Sequence, residues 1–359
     1  IKYISLYKFV KAFFMSQKTL IVGFGIAGAS LAHRLDEQDR DFKIISDHSQ
    51  QATRVAGGVI NPIALKRYKK AWNADLFFPK ALAFYKALEI KLSDHFLDLR
   101  PTYKALKSAE DQNDFMAATD RSFLKDFLSS KILYNDKIFS DADAIGVVNS
   151  TYTIDLNTFL DQSIRYFDMR FLSDSFHYAD LKCLEDHSFN YAGEIFDQVV
   201  FCEGYGVIHN PYFTDLPVYG NKGEYLILAS DDLQLQNRIL KSKYFLIPLG
   251  DNLYKFGANY DRNSLNNQPT QDARAHLLEQ FEKMISCSYE VIDQVAGIRP
   301  TLKDRKPILG AHPSYQQMFI FNGFGSRGVL GAPHLSQILS GFIFGKKTLD
   351  SDIDVKRFY

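Results

Sequence analysis

Cysteine is scarce, with Cys183, Cys202 and Cys287 the only three in 359 residues and no short spacing between any two. That excludes a disulfide framework and a zinc site, and it points to buried thiols in a reducing compartment, the cytoplasm. An excess of one charge is also missing: Lys and Arg total 42, Asp and Glu total 42. No global field therefore draws the chain to nucleic acid or an acidic membrane, although a local basic patch stays open. No uninterrupted apolar run reaches the ~18 residues that a membrane span requires. Internal repeats and low-complexity tracts are absent, which excludes solenoids and fibres. What remains, at 46% hydrophobic and 23% charged, is a globular chain long enough for two domains.

Residues 1–14 carry lysines at positions 2, 8 and 11 among aromatic and aliphatic residues, ahead of Met15. They show no secretory-signal pattern. They read as a dispensable extension, a helix packed on the domain, or an interfacial anchor. From Thr19 the pattern is a strand (TLIVG), a glycine turn, a helix over Ala27 to Leu35, and a strand (FKIIS) ending in Asp47, which is a β-α-β unit. A helical stretch is expected from Asn73 to about Ser130, and another helix opening at Tyr152 with Phe159, Leu160 and Ile164 on its apolar face. Strands are expected at 168–172, 198–202 and 223–229, and a hairpin over 244–258 turning at Gly250-Asp251-Asn252. A helix over 270–285 precedes a segment rich in glycine and proline, 295–345, with a last helix starting near His334. The expected plan is an α/β nucleotide-binding domain interrupted by an antiparallel-sheet domain, α+β overall.

Gly23-Phe-Gly25-Ile26-Ala27-Gly28 is a G-x-G-x-x-G pattern between strand and helix. The first glycine permits the tight turn, the second lets backbone approach a pyrophosphate, and the third lets helix pack on strand. Asp47 stands 24 positions beyond Gly23, where a carboxylate can accept from ribose hydroxyls. A glycine turn with no ligand is the competing reading, and the strand, helix and acid together argue against it. The motif leaves NAD and FAD both open. A second small-residue loop, Ala52 to Pro62 with Gly57 and Gly58, would let backbone approach a bulky planar ligand. A third, Asn322 to Pro333 with Gly325, Gly328, Val329 and Leu330, feeds a helix N-terminus that can stabilise negative charge.

The ordered set of glycine fingerprint, AGG-x-x-NP loop, PVYGNKGE, KFGANY, GIRP and GFGSRGVLGAP resembles the FAD-dependent D-amino acid oxidase superfamily, in its glycine and sarcosine oxidase branch. The likeness runs from Thr19 to Gly345. GSRG at 325–328 and KD-x-x-P-x-x-G at 303–310 are also similar to the flavin-dependent half of the bifunctional tRNA enzyme that makes 5-methylaminomethyl-2-thiouridine. The resemblance implies a Rossmann-like FAD-binding domain over 17–80, 145–206 and 291–359, and an inserted substrate domain over 81–144 and 207–290. It implies noncovalent FAD, held by the residues above together with Gly204.

Flavin chemistry leaves the protein mainly orientation and electrostatics, so no Ser-His-Asp set or metal is needed. The resemblance gives Arg299 as a clamp for a substrate carboxylate, a task suited to a guanidinium fork; an arginine bound to a nearby carbonyl or acid is the alternative. It gives Arg327 beside the flavin, although the family arginine stands one position earlier, where this chain has Ser326. It gives Lys222 at a strand facing the flavin, against a solvated lysine. Tyr219 and Tyr260 are candidate pocket walls. Glu203 departs from a small residue of the family, and is expected to alter the local potential or to point to solvent. The expected activity is oxidation of the C–N bond of a small amino acid or secondary amine, with molecular oxygen as a possible acceptor. Removal of a carboxymethyl group from a modified tRNA uridine and a non-catalytic flavin-binding module are the two alternatives.

Overall fold

The parallel strands are short runs with no polar alternation, as strands covered on both faces must be. In the computed structural model, which describes residues 17–134, 137–345 and 347–359, β1 (Thr19–Val22), β2 (Phe42–Ile45), β3 (Phe171–Leu172), β4 (Gln198–Phe201), β5 (Ile308–Ala311) and β6 (Met318–Asn322) form one sheet. Its order is β3-β2-β1-β4-β6-β5. All pairs are parallel except β5 with β6. Every residue of β1, β4 and β6 is buried. Leu20, Val22, Val199, Phe201 and Ile320 fill one side of this core. The reading of residues 1–14 lies outside the described residues.

The chain divides into two compact units. The first comprises residues 17–50, Leu160–Gly220 and Arg299–Tyr359 and carries this sheet. Its helix α1 (Ile26–Asp36) follows β1, and its helix α2 (Gly328–Gly345) follows β6. α2 starts six residues before the expected His334. Pro333 lies inside the helix, and its carbonyl accepts from Arg34 Nη2 of α1 at 3.3 Å. The thiol expectation holds for Cys202 alone. Cys183 is exposed, on a two-residue strand, and Cys287 is half-buried.

The second unit, Gln51–Phe159 and Asn221–Ile298, is organised on an eight-stranded sheet. The expected hairpin is present as Phe245–Gly250 against Leu253–Gly257, and its turn residues Asp251 and Asn252 take φ of 49° and 57°. Short polar side chains tolerate that left-handed region, and two such residues match the twist of the strands. One sheet face packs Leu226, Leu246 and Phe256 on the helix Gln271–Met284 through Leu277 and Phe281. Thr270 caps that helix, its Oγ1 accepting from Ala273 N at 3.3 Å.

The stretch expected to be helical from Asn73 to Ser130 holds two helices, Ala74–Leu92 and Ala109–Thr119, separated by strands Leu97–Leu99 and Thr102–Leu106. Ala144–Val148 pairs residue by residue with Thr102–Leu106, and this long-range partner overrides local propensity. The helix expected to open at Tyr152 begins at Leu156 instead. Tyr152–Ile154 is a strand, and Asp155 ends it by accepting from Asn157 N and Thr158 N.

Candidate functional site

Ligands of open parallel sheets bind beyond the carboxyl ends of the strands. In the first unit that edge carries the glycine turn that follows β1. Gly23 has φ +95°, and a Cβ there would stand 2.6 Å from the Cys202 carbonyl oxygen. A Cβ on Gly28 would stand 2.1 Å from the Gly23 oxygen. Gly25 is the N-cap of α1, in extended conformation and with no side-chain cap. Ile26, Ala27 and Gly28 form its first turn. The helix start therefore presents N–H groups and a positive dipole end that no capping side chain occupies.

A second helix start meets the first. A Cβ on Gly328 would lie 2.7 Å from Ile26 Cγ2, so α2 can begin against α1 only through a glycine. Val329 and Leu330 are buried in its first turn, and the carbonyl of Arg327 accepts from Leu330 N and Gly331 N, both at 3.1 Å. Gly325, at φ +55°, donates its N–H to Pro300 O at 2.8 Å. That bond joins the loop carrying Arg327, which is exposed, to the segment carrying Arg299, which is half-buried. Thr301 Oγ1 donates to Tyr219 O at 2.8 Å on the same segment; the Tyr219 ring itself is 54% exposed.

Asp47 follows β2 and is exposed. Partial burial raises its pKa, but the Ser49 N–H (2.9 Å) and the hydroxyls of Ser49 and Ser175 (2.9 Å for the latter) outweigh this, and the carboxyl sits below its ordinary value. It is ionised at neutral pH and ready to accept. Gly204, at φ +56°, opens a 3-10 turn after β4, and its carbonyl accepts from Asn322 Nδ2 at 2.8 Å. Glu203 does not point to solvent. It is buried, with Tyr178 Oη donating to Oε1 and Asn210 Nδ2 to Oε2 at 2.8 Å.

The remaining expected positions belong to the second unit. Gly58 has φ +62°, and a Cβ there would lie 2.0 Å from Ile154 O. A Cβ on Gly57 would meet Ile247 Cδ1 at 2.6 Å and Tyr225 Oη at 3.3 Å. Packing within the unit thus demands Gly58, while a Cβ at Gly57 would have to displace the tip of Ile247. Lys222 is not solvated but fully buried: its Nζ donates to Asn266 Oδ1 (3.2 Å) and to Gln268 O, and lies 3.5 Å from Glu224 Oε1. Glu224 also accepts from Thr270 N (2.8 Å), Thr270 Oγ1 (3.0 Å) and Gln294 Nε2 (2.8 Å). Tyr260 is 69% exposed.

Sequence reasoning missed Lys255. It is buried, its Nζ donates to Val55 O (3.4 Å) and Ala56 O (3.2 Å), and burial pushes its pKa down to about 8 although Asp155 opposes the shift. The signal was its place between Tyr254 and Phe256, which face the core, so that alternation turns Lys255 to the opposite face. That this face is covered too is not visible in the pattern. Among the described residues, no group of three His, Cys, Asp or Glu is placed to hold a metal ion, and no helix is long and apolar enough to cross a membrane.

Three comparisons bear on this geometry. Residues 183–341 match the profile of the DAO family, FAD dependent oxidoreductase. Glycine oxidase of Bacillus licheniformis is 25% identical over 142 residues, 39% of this chain and 38% of that protein. The tRNA 5-methylaminomethyl-2-thiouridine biosynthesis bifunctional protein MnmC of Idiomarina loihiensis is 26% identical over 153 residues, 40% of this chain and 25% of that protein. The aligned part thus spans well under half of either relative. The fold match is wider: the crystal structure of glycine oxidase from Geobacillus kaustophilus superposes with a TM-score of 0.78 at 17% identity, covering 96% of this chain and 98% of that one. Residues 183–341 are accordingly similar to the FAD-dependent oxidoreductases of the DAO family, and the fold is that of the glycine oxidase structure.

Proposed function

We propose that this chain binds FAD noncovalently through its first unit and oxidises the C–N bond of a small amino acid or secondary amine. The observation that carries the reading is the meeting of two helix starts, at Ile26 and Gly328, the first capped by Gly25 with no side-chain hydrogen bond and the second opened by a glycine packed on Ile26. A dinucleotide fits this cradle. Backbone of Gly23, Gly25, Ile26, Ala27 and Gly28 would hold the diphosphate, Asp47 would accept from a ribose, and Gly204 would keep the neighbouring strand end clear. Gly325, Gly328, Val329 and Leu330 form the second helix start, whose dipole favours negative charge. Bound FAD supplies the hydride acceptor.

The chain's own part is binding and charge. Arg299 offers two parallel N–H donors to a carboxylate, and its half-buried position makes that bond stronger than it would be in water. Held at one end, the amine cannot tumble, and this orientation is the larger part of the protein's contribution. Arg327 lends positive charge from the loop before α2. Within the second unit, Lys255 sets its ammonium against the carbonyls of Val55 and Ala56, just ahead of Gly57, and Lys222 braces the strand Tyr219–Ala229.

The likeness to MnmC favours a second reading, in which the amine is carried by a modified tRNA uridine. An anaerobic visible spectrum decides between the two. Bleaching of the flavin band by glycine, sarcosine, a D-amino acid or proline supports the small-amine reading. A flavin bleached only by a modified tRNA supports the second. A flavin that neither reduces makes the chain a binding module, and protein that takes up no FAD refutes the whole proposal.

A further inference from the structure

The buried carboxyl of Glu203 takes no part in the chemistry above, yet its backbone touches the fingerprint turn. Cys202 N donates to Val22 O at 2.7 Å, which carries the strand end alongside β1, and a Cβ on Gly23 would lie 3.2 Å from Glu203 Cα. The side chain, 8% exposed, runs to Tyr178, from the 3-10 turn Tyr178–Asp180, and to Asn210, at the end of the turn Gly204–His209. Two titratable groups face it, the Tyr178 hydroxyl and the Cys202 thiol. Burial first, and the Glu203 charge second, raise both above their ordinary values, so each stays neutral. Among the described residues no lysine, arginine, histidine or second carboxylate acts on it. Burial pushes its pKa up to about 7 even though both hydrogen bonds favour the carboxylate.

We propose that Glu203 is a positioning residue for the dinucleotide, and that tight binding at the Gly23 turn requires its carboxyl to take a proton from solvent. The inference rests on the FAD-binding reading. The Glu203 backbone stands against the Gly23 turn, so a charge on its buried carboxyl and a diphosphate held at that turn would repel each other through low-dielectric protein. A neutral Glu203 leaves the α1 dipole uncompensated and the turn fully attractive. The diphosphate diester does not itself titrate near neutrality. The apoprotein therefore titrates at lower pH than the complex, and binding takes up protons between the two values.

The test uses the full chain stripped of cofactor. Flavin fluorescence gives the FAD Kd from pH 6 to 8.5, and calorimetry in two buffers of different ionisation enthalpy gives proton uptake. The expected Kd rises by about tenfold across that range, with uptake of a fraction of a proton near pH 7.5. Glu203→Gln gives a flat Kd and no uptake. Tyr178→Phe removes a bond that favours the carboxylate and moves the midpoint upward, which keeps the test open if Glu203→Gln fails to fold. A flat wild-type Kd, an unchanged slope in Glu203→Gln, or an unmoved midpoint in Tyr178→Phe overturns the proposal while FAD binding itself stands. Absence of FAD binding at every pH overturns the FAD reading, and this inference with it.

Discussion

Replacing Gly28 with alanine adds one methyl group and should empty the cofactor site. The new Cβ would stand 2.1 Å from the Gly23 carbonyl oxygen. Ordinary contact begins at 3.4 Å, so the gap to be opened is 3.4 − 2.1 = 1.3 Å. Both atoms belong to the backbone framework, and no rotamer change relieves the contact. α1 has to back away from β1, although Ala29, Leu31, Ala32 and Leu35 on it are fully buried against their neighbours. Overpacking of this kind costs about 3 kcal/mol. On the proposed reading, a shift of about 1 Å in the N–H groups that would hold the diphosphate loses one or two charge-assisted hydrogen bonds and weakens binding on the order of 100-fold. The ratio of flavin to protein absorbance and the FAD Kd read the second effect, and urea unfolding reads the first. Gly345→Ala is the control, since the nearest atom to its new Cβ is Lys347 Cγ at 3.9 Å; it should keep wild-type flavin content. Gly28→Ala protein with wild-type flavin content and a Kd within twofold would refute the argument that this turn holds the cofactor.

Arg299→Ala should raise the KM for substrates bearing a carboxylate by ~10- to 100-fold, the loss of one or two charge-assisted hydrogen bonds, and leave flavin content unchanged; loss of flavin instead would place Arg299 at the cofactor. Glu203→Gln should change the pH dependence of apoprotein stability. Because the folded pKa is raised, from 4.5 to about 7, the wild-type contribution is complete below pH 4.5 and is lost as pH rises through 7. At about 1.4 kcal/mol per unit the variant gains about 3 kcal/mol relative to wild type across that window, and parallel stability curves from urea unfolding would contradict the assignment. Lys222→Met leaves Glu224 buried with three hydrogen bonds but no cation, at a cost of about 3 kcal/mol. Adding Glu224→Gln should recover part of it, and additivity in that double-mutant cycle would show that the pair does not interact.

The parallel core was legible because each of its strands is a short apolar run next to a glycine or acidic terminator, and because a glycine fingerprint has meaning only between a strand and a helix. The stretch from 73 to 130 was not legible. The strands Leu97–Leu99 and Thr102–Leu106 have polar and charged members, and they are strands because Tyr152–Ile154 and Ala144–Val148 arrive from some fifty residues away to pair with them. Periodicity records a residue's own preference and not the partner that overrides it.

The site divides along the same line. Backbone requirements leave a mark in sequence, since a position that tolerates no Cβ is written as glycine: Gly23, Gly28, Gly58 and Gly328 each answer to a named atom within 3 Å. Charged side chains leave a weaker mark, because the letter does not say whether the group is buried. Lys222 and Glu203 both read as surface residues with a chance of function, and both are buried. Their partners explain why the alphabet is silent. Lys222 is held by Asn266 and Gln268, 44 and 46 positions on, and Glu203 by Tyr178, 25 positions back. The two nevertheless differ in kind. Lys222 has an opposite charge at 3.5 Å and is neutralised in place, whereas Glu203 has only neutral donors. A buried acid satisfied by hydrogen bonds but by no cation is pushed toward a proton equilibrium near neutrality, which the diphosphate proposed for the adjacent turn would shift.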